Sequence, residues 1–414
     1  MVINNNDYQR DSNLSRVFET VWRHPGISRV DIAHSLCLYR STISNIIDTL
    51  LENGVLCEGE PDQPTRQGGR RPIGLFPADS FGAFAGFEIE PEHYALVVTD
   101  LADNVLLSLR SETPSNEALL NDPSRSFIWT VDRIIEECSG KLSALRVNYL
   151  GISIGVPGIV DIDKRIILRS DPFMLKNFCY GELFNDRYGV PLFMENDANC
   201  CAWYQNTRTR NTGIQTSITI LTKNYGNRNQ NRYPGNYLNS TGIGLAITCE
   251  GRIQYGKNYS AGEYLSRSWR PKNRGQTGLP DAVLNTILTN DDSYAMWASD
   301  FFSTLTTFIP LIAPEAVFLH GQPAARHDLL RHVIAAEVPQ FSAILERLGA
   351  VFTVMDEDPY EVAKGAAFMP LQHMFIIPQF EDIARSNFIN WNTLFALKEQ
   401  KRQIIPHTIQ EVQT

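Results

Sequence analysis

The chain has 414 residues, 43% apolar and 20% charged, with a formal net charge of −9. That length predicts two or three globular domains with cores of their own, and the acidic balance excludes a general polyanion binder, so any contact with nucleic acid must come from a local patch. No apolar run approaches the roughly 18 to 20 residues of a membrane span, and the polar start MVINNNDYQR lacks the apolar stretch of a signal peptide, so no membrane partner and a cytoplasmic location are expected. Seven cysteines without any C-x-x-C spacing point to reduced thiols rather than a disulfide framework or a zinc ribbon.

Residues 1 to 12 read as a polar, mobile arm. Leu14, Val17, Phe18, Val21 and Trp22 then recur at helical spacing, and His24-Pro25-Gly26 stops that first helix. Ser28, with Asp31 three residues on, resembles a capping box and starts a second helix through Leu36. In a third, Ile43, Ile46, Ile47, Leu50 and Leu51 share one face and leave Ser41, Ser44, Asn45 and Asp48 on the other. A short helix, a tight turn and an apolar-backed helix with a small polar N-terminal face predict a helix-turn-helix with its recognition helix in the major groove.

After Asn53-Gly54, a turn-rich segment from Glu58 to Gln67 and Gly68-Gly69-Arg70-Arg71-Pro72 lead into apolar Ile73 to Phe76, which predicts the hairpin of a winged helix. Arg70 and Arg71 would lie against phosphates or enter a minor groove. Any three-helix bundle buries such stripes, and an Arg-Arg pair also suits a solvated loop. Asp48 and Glu52 would meet phosphates if the whole helix lay in the groove. Contact is therefore expected only at its N-terminal turn, through Arg40, Ser41, Thr42, Ser44 and Asn45.

From Phe81 the period becomes that of strands. FGAFAGFEIE, YALVVTDL and NVLLSLR predict a three-strand meander, followed by a helix carrying Ile128, Val131, Ile135 and Cys138 and by the strand VNYLGISIGVPG. A helix over 179–188, a strand Val190 to Met194, a helix opening at Asn196-Asp197 and a strand Thr216 to Thr222 continue an α/β pattern. Between Lys223 and Ser240 lies an Asn-, Gly- and Tyr-rich stretch without periodicity, read as a surface insertion. A helical stripe of Trp297, Phe301, Leu305 and Phe308, a strand Ala316 to His320 and a helix from Tyr360 follow. Beyond about residue 375 comes a polar tail with an amphipathic piece, Ile389 to Leu397, to which no role is assigned.

The order winged helix, GGRRP, GISIGVPGIVD, FMENDANCCA, STGIGLAI, EGRIQYGKNYSAGE, APEAVFLHG and YEVAKGAAF resembles the ROK family of repressors and sugar kinases, and within it the branch of xylose- and N-acetylglucosamine-repressor type. The resemblance implies a winged helix-turn-helix over 1–80 and a two-lobed sensor of actin-like, ribonuclease-H-like ATPase fold. Its lobes would span 81–205, joined by 361–375, and 206–360, with a tail over 376–414. It also implies a homodimer or homotetramer whose partners are operator DNA and a sugar or sugar phosphate. Sugar contact would fall on Asn196, Asp197 and Glu263, with Asn177 in the same cleft. A carboxylate beside an amide can clamp vicinal hydroxyls, although Asn-Asp before a helix also suits a plain N-cap.

Departures from the pattern decide what chemistry to expect. Family kinases end their first strand in D-x-G-x-T, where glycine lets backbone amides approach a phosphate; here the place reads Glu88-Ile89-Glu90-Pro91-Glu92, and only Gly242-Ile243-Gly244 remains of the second glycine segment. Ser266 stands near the family's zinc-ligating His, and RSWRPKNRGQTGLPD carries no cysteine. No catalytic residue, metal or cofactor is therefore expected, and Cys200-Cys201 read as packing. The reading is a transcriptional regulator, a repressor of carbohydrate-metabolism genes. An ATP-dependent sugar kinase with a DNA-binding arm and a ligand-independent DNA-binding protein stay open beside it.

Overall fold

The computed structural model describes residues 5–59, 73–185, 187–224, 241–271, 273, 275–373, 391–398 and 401–407. Helix α1 (Asn5–Arg23) starts nine residues before its apolar stripe, so residues 5–12 are helical rather than an arm. Strand β1 (Ile27–Ser28), α2 (Arg29–Leu36) and α3 (Arg40–Glu52) follow. Ser28 caps α2 by accepting from the Asp31 amide at 3.2 Å, the first half of the capping box its spacing predicts, while the Asp31 carboxylate accepts from the Ser28 hydroxyl at 2.6 Å. Cys37, in the left-handed region at φ 53, turns the chain from α2 into α3. Strands β2 (Leu56–Glu58) and β3 (Gly74–Pro77) are antiparallel, and β1 pairs with the far edge of β3. Residues 60–72, and with them Arg70 and Arg71, lie outside the described residues.

The first lobe is built on β4 (Ala83–Ile89), β5 (His93–Asp100) and β6 (Val105–Glu112), an antiparallel meander. Helix α4 (Pro123–Ala144) leads to β7 (Tyr149–Val156), parallel to β4. Three short antiparallel strands follow, β8 (Ile159–Asp161), β9 (Ile166–Ser170) and β10 (Leu175–Cys179), which the apolar pattern did not announce. The helix expected over 179–188 shrinks to the single turn α5 (Tyr180–Leu183). The chain leaves the helical region already at Phe184, φ −107 and ψ 6, so the helix ends there. Strand β11 (Leu192–Asn196), parallel to β7, and α6 (Asp197–Arg208) complete the lobe.

The second lobe repeats the plan with β12 (Ser217–Asn224), β13 (Thr241–Cys249) and β14 (Arg252–Ile253), then α7 (Asp281–Leu284), α8 (Asp291–Ile312) and β15 (Ala316–His320). Helices α9 (His327–Glu337) and α10 (Pro339–Leu348), strand β16 (Val351–Val354), α11 (Glu361–His373) and α12 (Trp391–Lys398) follow. The sheet orders are β11-β7-β4-β5-β6 and β14-β13-β12-β15-β16. Numbered within each lobe, both read fifth, fourth, first, second, third strand from one edge. The chain is thus an α/β protein with N-terminal helices and two lobes of one topology.

Helices α6 and α11 cross between the lobes. Each follows the last strand of its own lobe yet packs on the sheet of the other: α6 on β12 and β13, α11 on β4, β5 and β7. Their close approach depends on small residues, which explains the run Ala363-Lys364-Gly365-Ala366-Ala367. A methyl group built on Gly365 would overlap the Cys200 carbonyl of α6, and one on Gly86 of β4 would overlap the α11 backbone. Because these neighbours are main chain and cannot rotate away, Gly365→Ala is expected to destabilise the protein by about 3 kcal/mol or more, at or above the upper end of ordinary overpacking. Gly140→Ala in α4, where nothing lies within 4 Å, is expected to gain about 0.5 to 1 kcal/mol. Denaturant melts of both variants check the pair; equal midpoints would refute the account of the crossing. No helix among the described residues is long and apolar enough to cross a membrane.

Candidate functional site

A cavity of about 610 Å³ opens between the lobes where α6 begins. The first lobe lines it with Asn196, Asp197, Arg169 and Asp171, the second with Lys223 and Glu263. Asn196 is the N-cap of α6, accepting from the Asn199 amide at 3.0 Å, while its Nδ2 donates to the Gly158 carbonyl at 2.7 Å and to Asp197 Oδ1 at 3.1 Å. The capping role is therefore real, and it fixes the carboxylate beside it. Asp197 Oδ1 also accepts from the Ala198 amide at 2.9 Å, and its Oδ2 faces Lys223 Nζ at 3.1 Å. Glu195 of the same motif is wholly buried behind them. It accepts from Tyr255 at 2.7 Å and from the Asn196 and Asn199 nitrogens at 2.8 and 3.0 Å, and burial raises its pKa in spite of these bonds. Glu195 is thus scaffold, tying β11 to the segment that follows β14.

Lys223 is the residue that reading from sequence missed. Taken as the start of a surface insertion, it is the seventh residue of β12, and its side chain is only 17% exposed. Its ammonium reaches Glu88 at 2.9 Å, Glu90 and Asp197, carboxylates from β4, from the turn after it and from α6. Burial pushes the Glu90 carboxyl up to about 7, with Lys223 pulling the other way. The glycines 242 and 244 lie within β13, which pairs Gly242 with Lys223 and Gly244 with Leu221. Ile243 between them donates its amide to Gln276 Oε1 at 2.7 Å.

Glu263 lies across the cavity from Asp197 and meets Arg169 at 3.4 Å. Arg169 and Asp171 come from the end of β9 and just beyond it, an element absent from the sequence reading. Asn177 does not join them. It is exposed on β10 at φ 49, outside the cavity lining, because the hairpin of β9 and β10 turns β9 toward the cleft instead. Ser266 points into α8, donating to Asp300 at 2.6 Å, and the segment after it is held by hydrogen bonds such as Gly278 N to Ser268 Oγ at 2.8 Å. Among the described residues one group, Cys201, His320 and Glu361, brings metal-ligating atoms within 4.8 Å of one another. There the imidazole already has partners on both sides, Glu361 at 2.5 Å from Nδ1 and the Gln205 amide at 3.1 Å from Nε2.

On the N-terminal helices, Ile43, Ile47 and Leu50 are fully buried, and Ile46 and Leu51 pack against them. Arg40, Ser41 and Asn45 are exposed, with Thr42 and Ser44 half-buried beside them. Tyr39, at the N-cap of α3 and 84% exposed, heads the same surface. Arg29 binds Asp48 at 2.7 Å and Glu58 at 3.2 Å, so the acid expected to repel phosphates has a cation of its own.

The two regions are physically joined. Helix α6 spans about 18 Å from Asp197 at a rise of about 1.5 Å per residue, and just past its end Arg210 stacks on Trp22 of α1 at 4.7 Å while pairing with Asp103 at 2.9 Å. Helix α12 closes the contact from outside. Trp391 is buried, donates to Ser15 Oγ at 2.9 Å and meets Phe18 edge to face at 5.7 Å. The amphipathic piece of the tail therefore seals α1.

Residues 85–264 match the model of the ROK family. The xylose repressor of Staphylococcus xylosus is 27% identical over 290 residues, 70% of this chain and 65% of that protein. The xylose repressor of Bacillus spizizenii is 22% identical over 406 residues, 93% of this chain and 100% of its own length. Among solved structures, a ROK family transcriptional regulator described as a homolog of the E. coli MLC protein superposes with a TM-score of 0.65 at 15% identity, covering 95% of this chain and 99% of that one. The chain thus carries a ROK family match across the cleft, is similar to xylose repressors over most of its length, and shares its fold with a ROK family regulator.

Proposed function

We propose that the protein is a sequence-specific DNA-binding regulator, a repressor of carbohydrate-metabolism genes, whose hold on its operator is set by a sugar bound between the lobes. The observation that carries this reading is α6, whose first residue faces the cleft and whose end is followed at once by Arg210 on Trp22. In this reading α2 and α3 form the helix-turn-helix, β2 and β3 the base of its wing, and the two lobes an actin-like sensor. The repressor names of its relatives support it, as does a polar α3 surface that no other element among the described residues covers. The cleft acts here as a binding site rather than a kinase site, a reading supported by the three carboxylates around Lys223 and by the Ile243 amide already bonded to Gln276. Two copies would place their α3 helices about 34 to 36 Å apart on a two-fold symmetric site.

Selection of operators from a random DNA pool tests the assignment. Asn45→Ala and Thr42→Ala are each expected to cost roughly 1 to 3 kcal/mol on the selected site and to relax preference at one base step, whereas Arg40→Ala should weaken all sequences alike and flatten the salt dependence. If none of the three altered binding to the selected operator, α3 would not be the reading element.

A further inference from the structure

The structure assigns Lys223 the role of choosing the ligand's charge: the cleft takes an uncharged sugar and excludes its phosphate ester. The inference rests on the cleft being the sugar site. Lys223 forms part of the wall shared by the cleft and a second, smaller cavity of about 170 Å³, lined by Glu88, Glu90 and Glu361. An ammonium carries three N–H donors, and Glu88, Glu90 and Asp197 engage it from three sides. With the Glu90 carboxyl pushed up to about 7, three carboxylates on one ammonium leave that wall with a charge between −1 and −2 near neutral pH.

Two of the other donors facing the cleft are also engaged, while the Thr241 hydroxyl has no partner among the described residues. Arg169 lies 3.4 Å from Asp171 and 3.4 Å from Glu263, and the Ile243 amide is taken by Gln276. A phosphate monoester, which near neutral pH brings mainly acceptors and about two negative charges, meets chiefly acids there. A hydroxyl brings a donor as well. A carboxylate has about four lone-pair sites, and Asp197 uses three, on Ala198, Asn196 and Lys223. One acceptor site therefore remains at the carboxylate for a sugar O–H.

The test uses the full chain in calorimetric titrations and thermal-shift assays against paired probes: glucose, xylose and N-acetylglucosamine, their terminal phosphate esters, and inorganic phosphate. A free sugar is expected to bind tighter than its own ester by on the order of a hundredfold. That is the size of one unit-charge repulsion across about 5 Å at an effective dielectric of about 20. Inorganic phosphate should not shift the melt. Glu88→Gln/Glu90→Gln removes two of the three carboxylates from Lys223 and is expected to shrink the preference below about tenfold, chiefly by tightening the ester; Glu88→Gln alone is the milder variant and should move it the same way. An ester that outbinds its parent sugar on the wild type overturns the inference and leaves the sugar cleft standing, as does a preference unmoved by either variant. If no probe of either form binds while operator binding is intact, the sugar reading of the cleft falls and this inference with it.

Discussion

Asp197→Ala is expected to leave operator affinity unchanged without sugar and to abolish the response to sugar. Asp197 is one of three acids on Lys223, so its loss still leaves that cation with Glu88 and Glu90, and the N-cap of α6 rests on Asn196 rather than on the missing carboxylate. The apo fold should therefore survive. A ligand shifts an equilibrium only by the difference in its affinity for the two states, and couplings of roughly 1 to 3 kcal/mol change a second affinity about 5- to 150-fold. That whole factor should vanish with the side chain that holds the hydroxyl. Operator titrations of wild type and variant, with and without the sugar identified by calorimetry, read it directly. A variant that kept the wild-type sugar response would remove Asp197 from the ligand site. Loss of operator binding without sugar would show that the residue matters to the fold of α6 instead.

Trp391→Ala is expected to give the largest stability effect outside the lobes. Truncating a buried tryptophan typically costs about 3 to 5 kcal/mol, and here the ring also loses its edge contact with Phe18 and its hydrogen bond to Ser15. The damage should be greatest in α1, where Trp391 meets Phe18 and Ser15 directly, although the same core continues to Phe84 and Leu150 of the first sheet and Ala246 of the second. Hydrogen exchange in α1 should quicken and operator affinity fall several-fold, with sugar affinity within about twofold of wild type. Retention of operator binding together with loss of sugar binding would reverse the assignment of α12.

What could be read from the residues was local. The stripe Ile43, Ile47, Leu50 and the pair Ser28 and Asp31 depend on neighbours within one or two helical turns, and both stand in the structure as their spacing implies. Polar residues 5–12 carry no stripe, and their helix is steadied from afar, Arg10 reaching Asn392 at 2.7 Å. The strands β8 to β10 are two or three apolar residues long between charged turns, too short to set a period. Lys223 was illegible for a different reason. Its meaning lies in two acids more than 130 residues away and in Asp197, and no window along the chain contains that arrangement. Asn177 was placed in the cleft by analogy along the chain, and the turn between β9 and β10 sends it elsewhere.

The seal on α1 has a consequence for the order of synthesis. Residues 14 to 56 leave the ribosome first, yet the surface of α1 that Trp391 covers stays bare until some 370 further residues have been translated. Chains emerge N-terminus first and domains generally fold as units in that order, but this N-terminal unit lacks part of its core until α12 arrives. On the proposed function, a nascent chain would carry an incomplete reading head on the polysome. Competence to grip an operator would then come only once α12 has been made, when both lobes already exist to regulate it.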